Sequence, residues 1–162
     1  MIVKLRIDDR LLHGQVAYSW KSALSYDAIV IASNAAAGDS IRRSAMKMCC
    51  PDGVKMAVRT LEEAAVLLQN EKLQNMKVFV VTACPKDADA LLGMIPEKPV
   101  VNLGGMQMED GKQLLSPAVY VNKEDIAYLD VMLEKGYVIE VQEVPSTAKK
   151  DYSALKNKVT FK

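Results

Sequence analysis

The chain carries a single histidine, and its three cysteines, Cys49, Cys50 and Cys84, are scattered through 162 residues. Zinc sites are built from several histidines and cysteines at short fixed spacings, so this set disfavours a metal centre. Adjacent cysteines rarely bridge each other, so no disulfide framework is expected, and the thiols read as small buried side chains. Aromatic residues make up only 6%, and 21 Lys and Arg against 20 Asp and Glu leave a formal net charge of +1. Neither the basic excess nor the aromatic platforms of a nucleic-acid binder are present. No apolar run approaches the roughly 20 residues that cross a bilayer, which argues against direct membrane insertion. The N-terminus, MIVKLRIDD, lacks a signal peptide's basic, apolar, small-residue order, so a cytoplasmic location is expected. Also missing are the GxxxxGK[ST] and GxGxxG phosphate loops and the GxSxG elbow of a serine hydrolase.

What is present is a repeating alternation of strand and helix patterns. Half of the residues are apolar, enough for one domain with a sizeable core. Ile2, Val3, Leu5 and Ile7 read as a strand, and Val16, Ala17, Trp20, Ala23 and Leu24 recur at helical spacing after Gly14. Further strands are expected at Asp27 to Ala32, Val54 to Val58, Lys77 to Thr82, Val100 to Leu103, Ala118 to Val121 and Val138 to Val144. Between them, Asp39 or Ser40 caps a helix with the pattern Ile41, Ala45, Met48, and Thr60 with Glu63 has capping-box spacing. Pro85 begins another helix, and Lys123 to Lys135 forms one with Ile126, Leu129 and Leu133 inward, ended by Gly136. Residues 145–162 read as an extension packed on the domain through Tyr152, Leu155 and Phe161. The fold class is α/β: a single three-layer domain over residues 1–162, a mainly parallel central sheet with helices on both faces.

In such folds ligands bind outside the carboxyl ends of the strands. The only histidine, His13, falls where the first strand hands over to the first helix, in RIDDRLLHGQV at residues 6–16. A helix N-terminus there offers free amides and a dipole worth roughly 0.3 to 1 kcal/mol to an anion. A neutral imidazole can accept a phosphoryl group, and its reference pKa of about 6.5 leaves a ring nitrogen free near pH 7. Arg10 would compensate phosphate charge with its planar fork, and Asp8 would hold one ring nitrogen and leave the other to attack. The alternative is a solvated cluster of Arg6, Asp8, Asp9 and Arg10 with His13 as a polar helix cap. Gly14 and Gln15 beside the histidine, Asn34 after the second strand, and Gly104 and Gly105 after the fifth are candidates for the same rim. Paired glycines there could let backbone approach a ligand or take positive φ.

The motif RIDDRLLHGQV closely resembles the signature of the IIB components of the mannose, fructose and sorbose family of bacterial sugar phosphotransferase systems. The resemblance continues in VNLGGM at 101–106 with Gly111-Lys112, and in KEDIAYLDVMLEKGYVIEVQEVPS at 123–146. It implies that His13 takes phosphate on Nδ1 from a phosphorylated IIA domain and passes it to a sugar entering through the membrane IIC and IID subunits. The protein would then be a protein-Nπ-phosphohistidine–sugar phosphotransferase without metal or organic cofactor, peripherally associated with the membrane transport complex. Arg10 is implied to contact the phosphoryl group and Asp8 to belong to the same loop network. Arg6 and Gln15 also match the motif, where packing and capping roles are open to them. The chain departs from the family at Ser33-Asn34, where Asn-Asp is usual, so a carboxylate is missing and Asn34 could serve as a rim residue or as a neutral cap. A noncatalytic sensor or regulatory module of the same fold, binding a phosphorylated small molecule or partner, is the alternative reading.

Overall fold

Short apolar runs bounded by caps and turns set the order of elements in the computed structural model, which describes residues 1–161. The chain runs β1 (Ile2–Asp8), α1 (Gly14–Leu24), β2 (Ala28–Ala32), α2 (Asn34–Ala37), α3 (Ser40–Met48), β3 (Lys55–Arg59), α4 (Leu61–Leu68), α5 (Glu71–Gln74) and β4 (Val78–Thr82). It continues through α6 (Pro85–Leu92), β5 (Val101–Gly105), β6 (Gln113–Ser116), β7 (Val119–Val121), α7 (Lys123–Glu134), β8 (Ile139–Val141), β9 (Lys150–Asp151) and α8 (Tyr152–Leu155). Seven strands form one sheet in the order β3-β2-β4-β1-β5-β8-β9, and only β9 runs antiparallel to its neighbour. Strands β6 and β7 pair separately as an antiparallel hairpin.

Alternation along each strand sends side chains to opposite faces, and both faces are apolar because both are covered. On one face Ala28, Val30, Val78 and Val80 pack with Ala64, Leu68, Leu91 and Leu129 of α4, α6 and α7. On the other, Ile29, Ile31, Phe79 and Val81 pack with Val16, Ala17 and Trp20 of α1 and Met46 of α3. The domain is therefore the three-layer α/β form that the alternation predicts. The helix signals hold as well. Thr60 and Glu63 close both halves of a capping box, Asp39 accepts from the Arg42 amide, and Gly136 follows α7 with φ +93. Strand β1 lies between β4 and β5; the chain leaves β1 toward β2 on one side and β5 toward β8 on the other. That reversal opens a crevice at the carboxyl ends of β1 and β5.

Several expectations are corrected. The first strand extends through Asp8, and the last is confined to Ile139–Val141, because the Gln142 carbonyl turns to accept from the Arg6 and Asn102 side chains. The helix stripe of Ile41, Ala45 and Met48 faces outward, with Ile41 82% and Met48 87% exposed, while Met46 alone of α3 is buried. Strand β6 has no counterpart in the sequence reading, since Gln113 and Leu114 are both exposed and give no alternating signal. The three cysteines are free and half-buried rather than buried, Cys49 and Cys84 at helix ends. Beyond Pro145 the chain adds β9 to the sheet edge and buries Tyr152 completely, its hydroxyl donating to Asp130 Oδ1 at 3.1 Å.

Because Tyr152 fills core volume, Tyr152→Ala is expected to lower unfolding free energy by about 3–5 kcal/mol. Tyr152→Phe, which loses only the hydrogen bond, should lower it by about 0.5–1.5 kcal/mol. Urea unfolding midpoints measure both; equal small losses would mean that this segment lies outside the cooperative core.

Candidate functional site

The site begins with an irregularity in β1. Leu5 and Ile7 turn to the α4 and α6 face, but the residues turned toward α1 are Lys4, Arg6 and Asp8, all polar in a strand buried on both sides. Arg6 is 1% and Asp8 0% exposed. Burying charge is tolerated only where partners replace water, and the neighbouring strands supply them. Arg6 donates from Nη2 to Asp8 Oδ2 at 3.0 Å and from Nη1 to Asn102 Oδ1 at 2.9 Å. Asn102 donates from Nδ2 to Glu140 Oε2 at 2.9 Å, and Lys4 Nζ pairs with Glu140 at 2.9 and 3.0 Å. These contacts follow the sheet register, in which Arg6 lies opposite Asn102 and Asn102 opposite Glu140. Trp20 covers the row, its ring centroid 4.8 Å from Lys4 Nζ and 5.8 Å from Arg6 Cζ.

Room for the guanidinium comes from β5. The ladder shifts so that Ile7 faces Leu103 and Asp8 faces Gly105, leaving Gly104 as an extra residue in the manner of a bulge. A Cβ on Gly104 would lie 2.0 Å from Arg6 Cζ, and one on Gly105 would lie 3.1 Å from the Asp8 carboxyl. The expectation of positive φ at this glycine pair is corrected here, while Gly105 lines a cavity on the rim with Arg10 and Met106. Both glycines end a buried strand, neither has positive φ, and what they admit at close range is Arg6 and Asp8.

The loop after β1 turns back on Asp8. Arg10 N donates to Asp8 Oδ1 at 3.0 Å and Leu11 N to the Asp8 carbonyl at 2.9 Å. Leu11 takes φ +58, a left-handed conformation costing about 1–2 kcal/mol for a residue with a Cβ, and its side chain is buried. That turn delivers His13 as the extended N-cap residue of α1, with no side-chain cap hydrogen bond. His13 Nε2 instead lies 3.0 Å from Asp8 Oδ2. Burial alone would push the Asp8 carboxyl up; the His13 hydrogen bond, the Arg6 charge and the Arg10 amide outweigh it and hold the pKa below the ordinary carboxylate value. A carboxylate here accepts, so Nε2–H is the donor, and in the neutral imidazole Nδ1 then keeps its lone pair. Burial lowers the Arg6 pKa, opposed by the charge of Asp8.

His13, Asp8 and Arg10 are thus brought together. The His13 side chain is 26% and that of Arg10 43% exposed, Arg10 Nε standing 3.7 Å from Asp8 Oδ1. Gly14 and Gln15 occupy the exposed first turn of α1, which contains no acidic residue. Asn34 is not part of this group. It follows β2, separated from β1 by β4, and its Oδ1 accepts from Leu61 N at 2.9 Å, so it takes the capping role rather than a place beside His13. The sequence reading missed Lys4, Asn102 and Glu140, although polar residues at every second position of an apolar strand carry a signal of a buried polar row. Among the described residues, no group of three or more His, Cys, Asp or Glu side chains could hold a metal ion, and no helix is long and apolar enough to cross a membrane.

Residues 2–162 match the family described as the PTS system sorbose subfamily IIB component. The chain belongs to that family. This IIB component is 34% identical over 156 residues to the sorbose-specific EIIB component of Lacticaseibacillus casei, covering 95% of this chain and 94% of that protein. It is 31% identical over 150 residues to the mannose-specific EIIAB component of Escherichia coli, where the match covers 92% of this chain but 46% of the relative. Its fold superposes on the crystal structure of the IIBSor domain of the Klebsiella pneumoniae sorbose permease with a TM-score of 0.93. The match, at 28% identity, covers 100% of this chain and 99% of the other.

Four outcomes follow for this IIB component. Gly104→Ala forces the pinned Arg6 guanidinium aside and should lower stability by about 1–3 kcal/mol. Gly14→Ala, whose Cβ meets nothing within 4 Å, should change it by less than about 0.5 kcal/mol, both by urea unfolding. Because the folded pKa of Asp8 is depressed, its contribution to stability is full above the unfolded value near 3.9. It is lost as pH falls from there through the folded pKa. Unfolding free energy measured from pH 6 down to about pH 2 should therefore drop more steeply for wild type than for Asp8→Asn. At neutral pH that variant, left with Arg6 buried and unpaired, should be less stable by about 3–5 kcal/mol.

Proposed function

We propose that His13 is a phosphoryl carrier: it accepts phosphate on Nδ1 from a phosphohistidine of a IIA domain and gives it to a sugar entering through IIC and IID membrane subunits. The observation that carries this reading is the hydrogen bond from His13 Nε2 to buried Asp8, which commits that nitrogen and leaves Nδ1 free. In the first step the Nδ1 lone pair forms a bond to phosphorus as the donor's N–P bond breaks. The departing imidazole of IIA keeps that electron pair. In the second, a sugar hydroxyl oxygen bonds to phosphorus, the N–P bond of His13 breaks, and the hydroxyl proton is released to solvent. Nδ1 regains its lone pair and the carrier is unchanged.

Such transfers ask the protein for position and charge compensation more than for covalent chemistry. Position is supplied by the Asp8 carboxylate and the N-cap backbone. Compensation is available from the exposed guanidinium of Arg10 and from the first-turn amides at Gly14 and Gln15, which no acidic side chain occupies. Membership of the sorbose-subfamily IIB family supports the same reading, as does a mannose-specific relative named EIIAB, of which the match covers one part. The chain would work at the cytoplasmic face of the membrane, docking in turn with IIA and the transport subunits, without metal or organic cofactor.

The test is intact-protein mass after wild type and His13→Gln are incubated with phosphoenolpyruvate, the general phosphotransferase proteins and a cognate IIA, then quenched at alkaline pH. Wild type alone should gain one acid-labile phosphoryl group, and Arg10→Ala should gain it more slowly by roughly 10- to 1,000-fold. No gain by wild type, with a IIA able to phosphorylate another IIB, would sink the carrier reading.

A further inference from the structure

We propose that Asn102, backed by the Lys4–Glu140 ion pair, is a positioning residue for His13: acting through Arg6 and Asp8, it fixes which imidazole nitrogen carries the proton. The purpose of that control rests on the carrier reading above, but the control itself does not.

The argument starts from the shape of the guanidinium. Arg6 turns its Nε and Nη2 edge to Asp8 Oδ2, at 3.3 and 3.0 Å. A planar fork is oriented only when its third nitrogen is also held, and Nη1 is held by Asn102 Oδ1 at 2.9 Å and more loosely by the Gln142 carbonyl at 3.4 Å. The amide of Asn102 has one satisfactory orientation. Its Nδ2 donates to Glu140 Oε2 at 2.9 Å and to the Gln142 carbonyl at 3.1 Å; flipped, it would set NH2 against the guanidinium and its carbonyl against a carboxylate. Glu140 is fixed in turn by Lys4. The row runs from Lys4 to His13 without a free partner on Arg6, Asn102 or Glu140, and its two cations balance its two carboxylates.

Stability alone gives no reason for this row. Buried ion pairs replaced by well-packed apolar side chains leave most proteins as stable or more so, and here the sheet also gives up the Cβ of Gly104 to admit Arg6. What the row does supply is direction. The Asp8 carboxylate, held by Arg6 on one oxygen and by the Arg10 amide on the other, presents Oδ2 to His13 at one angle and distance. With Arg6 free to swing, Asp8 would lose that orientation, and the preference for Nε2–H would weaken.

His13 is the only histidine, so its ring nitrogens give one set of signals in a long-range 1H–15N spectrum of labelled protein. At about pH 8.5, where an ordinary imidazole is neutral, wild type should show the Nε2–H tautomer. In Asn102→Ala the ratio of Nε2–H to Nδ1–H should fall by roughly fivefold, the effect of one ordinary hydrogen bond on a two-state equilibrium. Glu140→Gln should move it the same way by less, and carries the test if Asn102→Ala does not fold. Tyr152→Phe, whose side chain packs with Ile139 and Val141 on the opposite face of the sheet and whose hydroxyl donates to Asp130, should lower stability and leave the ratio unchanged. Folded Asn102→Ala or Glu140→Gln with the wild-type ratio would overturn the proposal, as would an equal shift in Tyr152→Phe. Absence of phosphorylation in wild type would overturn the carrier reading and leave this result standing.

Discussion

A fully buried carboxylate, Asp8, sets the terms for everything around it. An ion of that kind needs a donor in nearly every direction, and each donor requires something further of the chain. Arg6 can reach it only because the sheet omits a side chain at Gly104. The Arg10 amide can reach it only because the chain turns sharply at Leu11, at the expense of a left-handed backbone on a bulky residue. Trp20 then closes the row from above with its indole N–H donating to the Glu143 carbonyl at 3.3 Å. Remove the carboxylate and these features lose their reason together.

The arrangement divides the site into a buried half and an exposed half. Asp8, Arg6 and Asn102 are buried and multiply bonded, and through Asp8 the group holds His13 Nε2. Arg10, whose side chain is 43% exposed, flanks the outer side, with only a long 3.7 Å contact from its Nε to Asp8 Oδ1. In the carrier role proposed for His13, the buried part would hold the ring nitrogen while the exposed Arg10 guanidinium met the phosphoryl group from the solvent side. Fixed charge on both sides would hold the phosphoryl group rather than pass it on.

The legible parts of this molecule are those encoded within a few residues. Thr60 and Glu63, Asp39, Pro85 and Gly136 mark helix ends by local hydrogen bonds and backbone angles, and the structure uses each as the pattern indicates. The juxtaposition of Asp8, Arg10 and His13 is equally local, a single turn between a strand and a helix. Asn102 and Glu140 were invisible because their meeting with Arg6 and Lys4 depends on β5 and β8 being the successive neighbours of β1, and strand order leaves no trace in apolar periodicity. The glycines at 104 and 105 stand out in the sequence for their lack of bulk, yet what fills that space is another part of the same chain. Asn34 is a similar case: its partner, Leu61 N, lies 27 residues on. In α3 the helical period was visible, but not which side of it faced the sheet.

The position of β1 in the sheet has a consequence for how the protein is made. The strand and loop that hold Asp8, Arg10 and His13 are made before either hydrogen-bonded neighbour of β1, β4 ending at Thr82 and β5 at Gly105. Glu140 comes later still. Pairings that span so much chain form slowly because closing long loops loses entropy before contacts repay it. The nascent chain therefore carries His13 through the synthesis of β2 to β8 without the carboxylate orientation described above. The site is complete only when β5 and β8 have closed the sheet around the earlier-made segment that carries it.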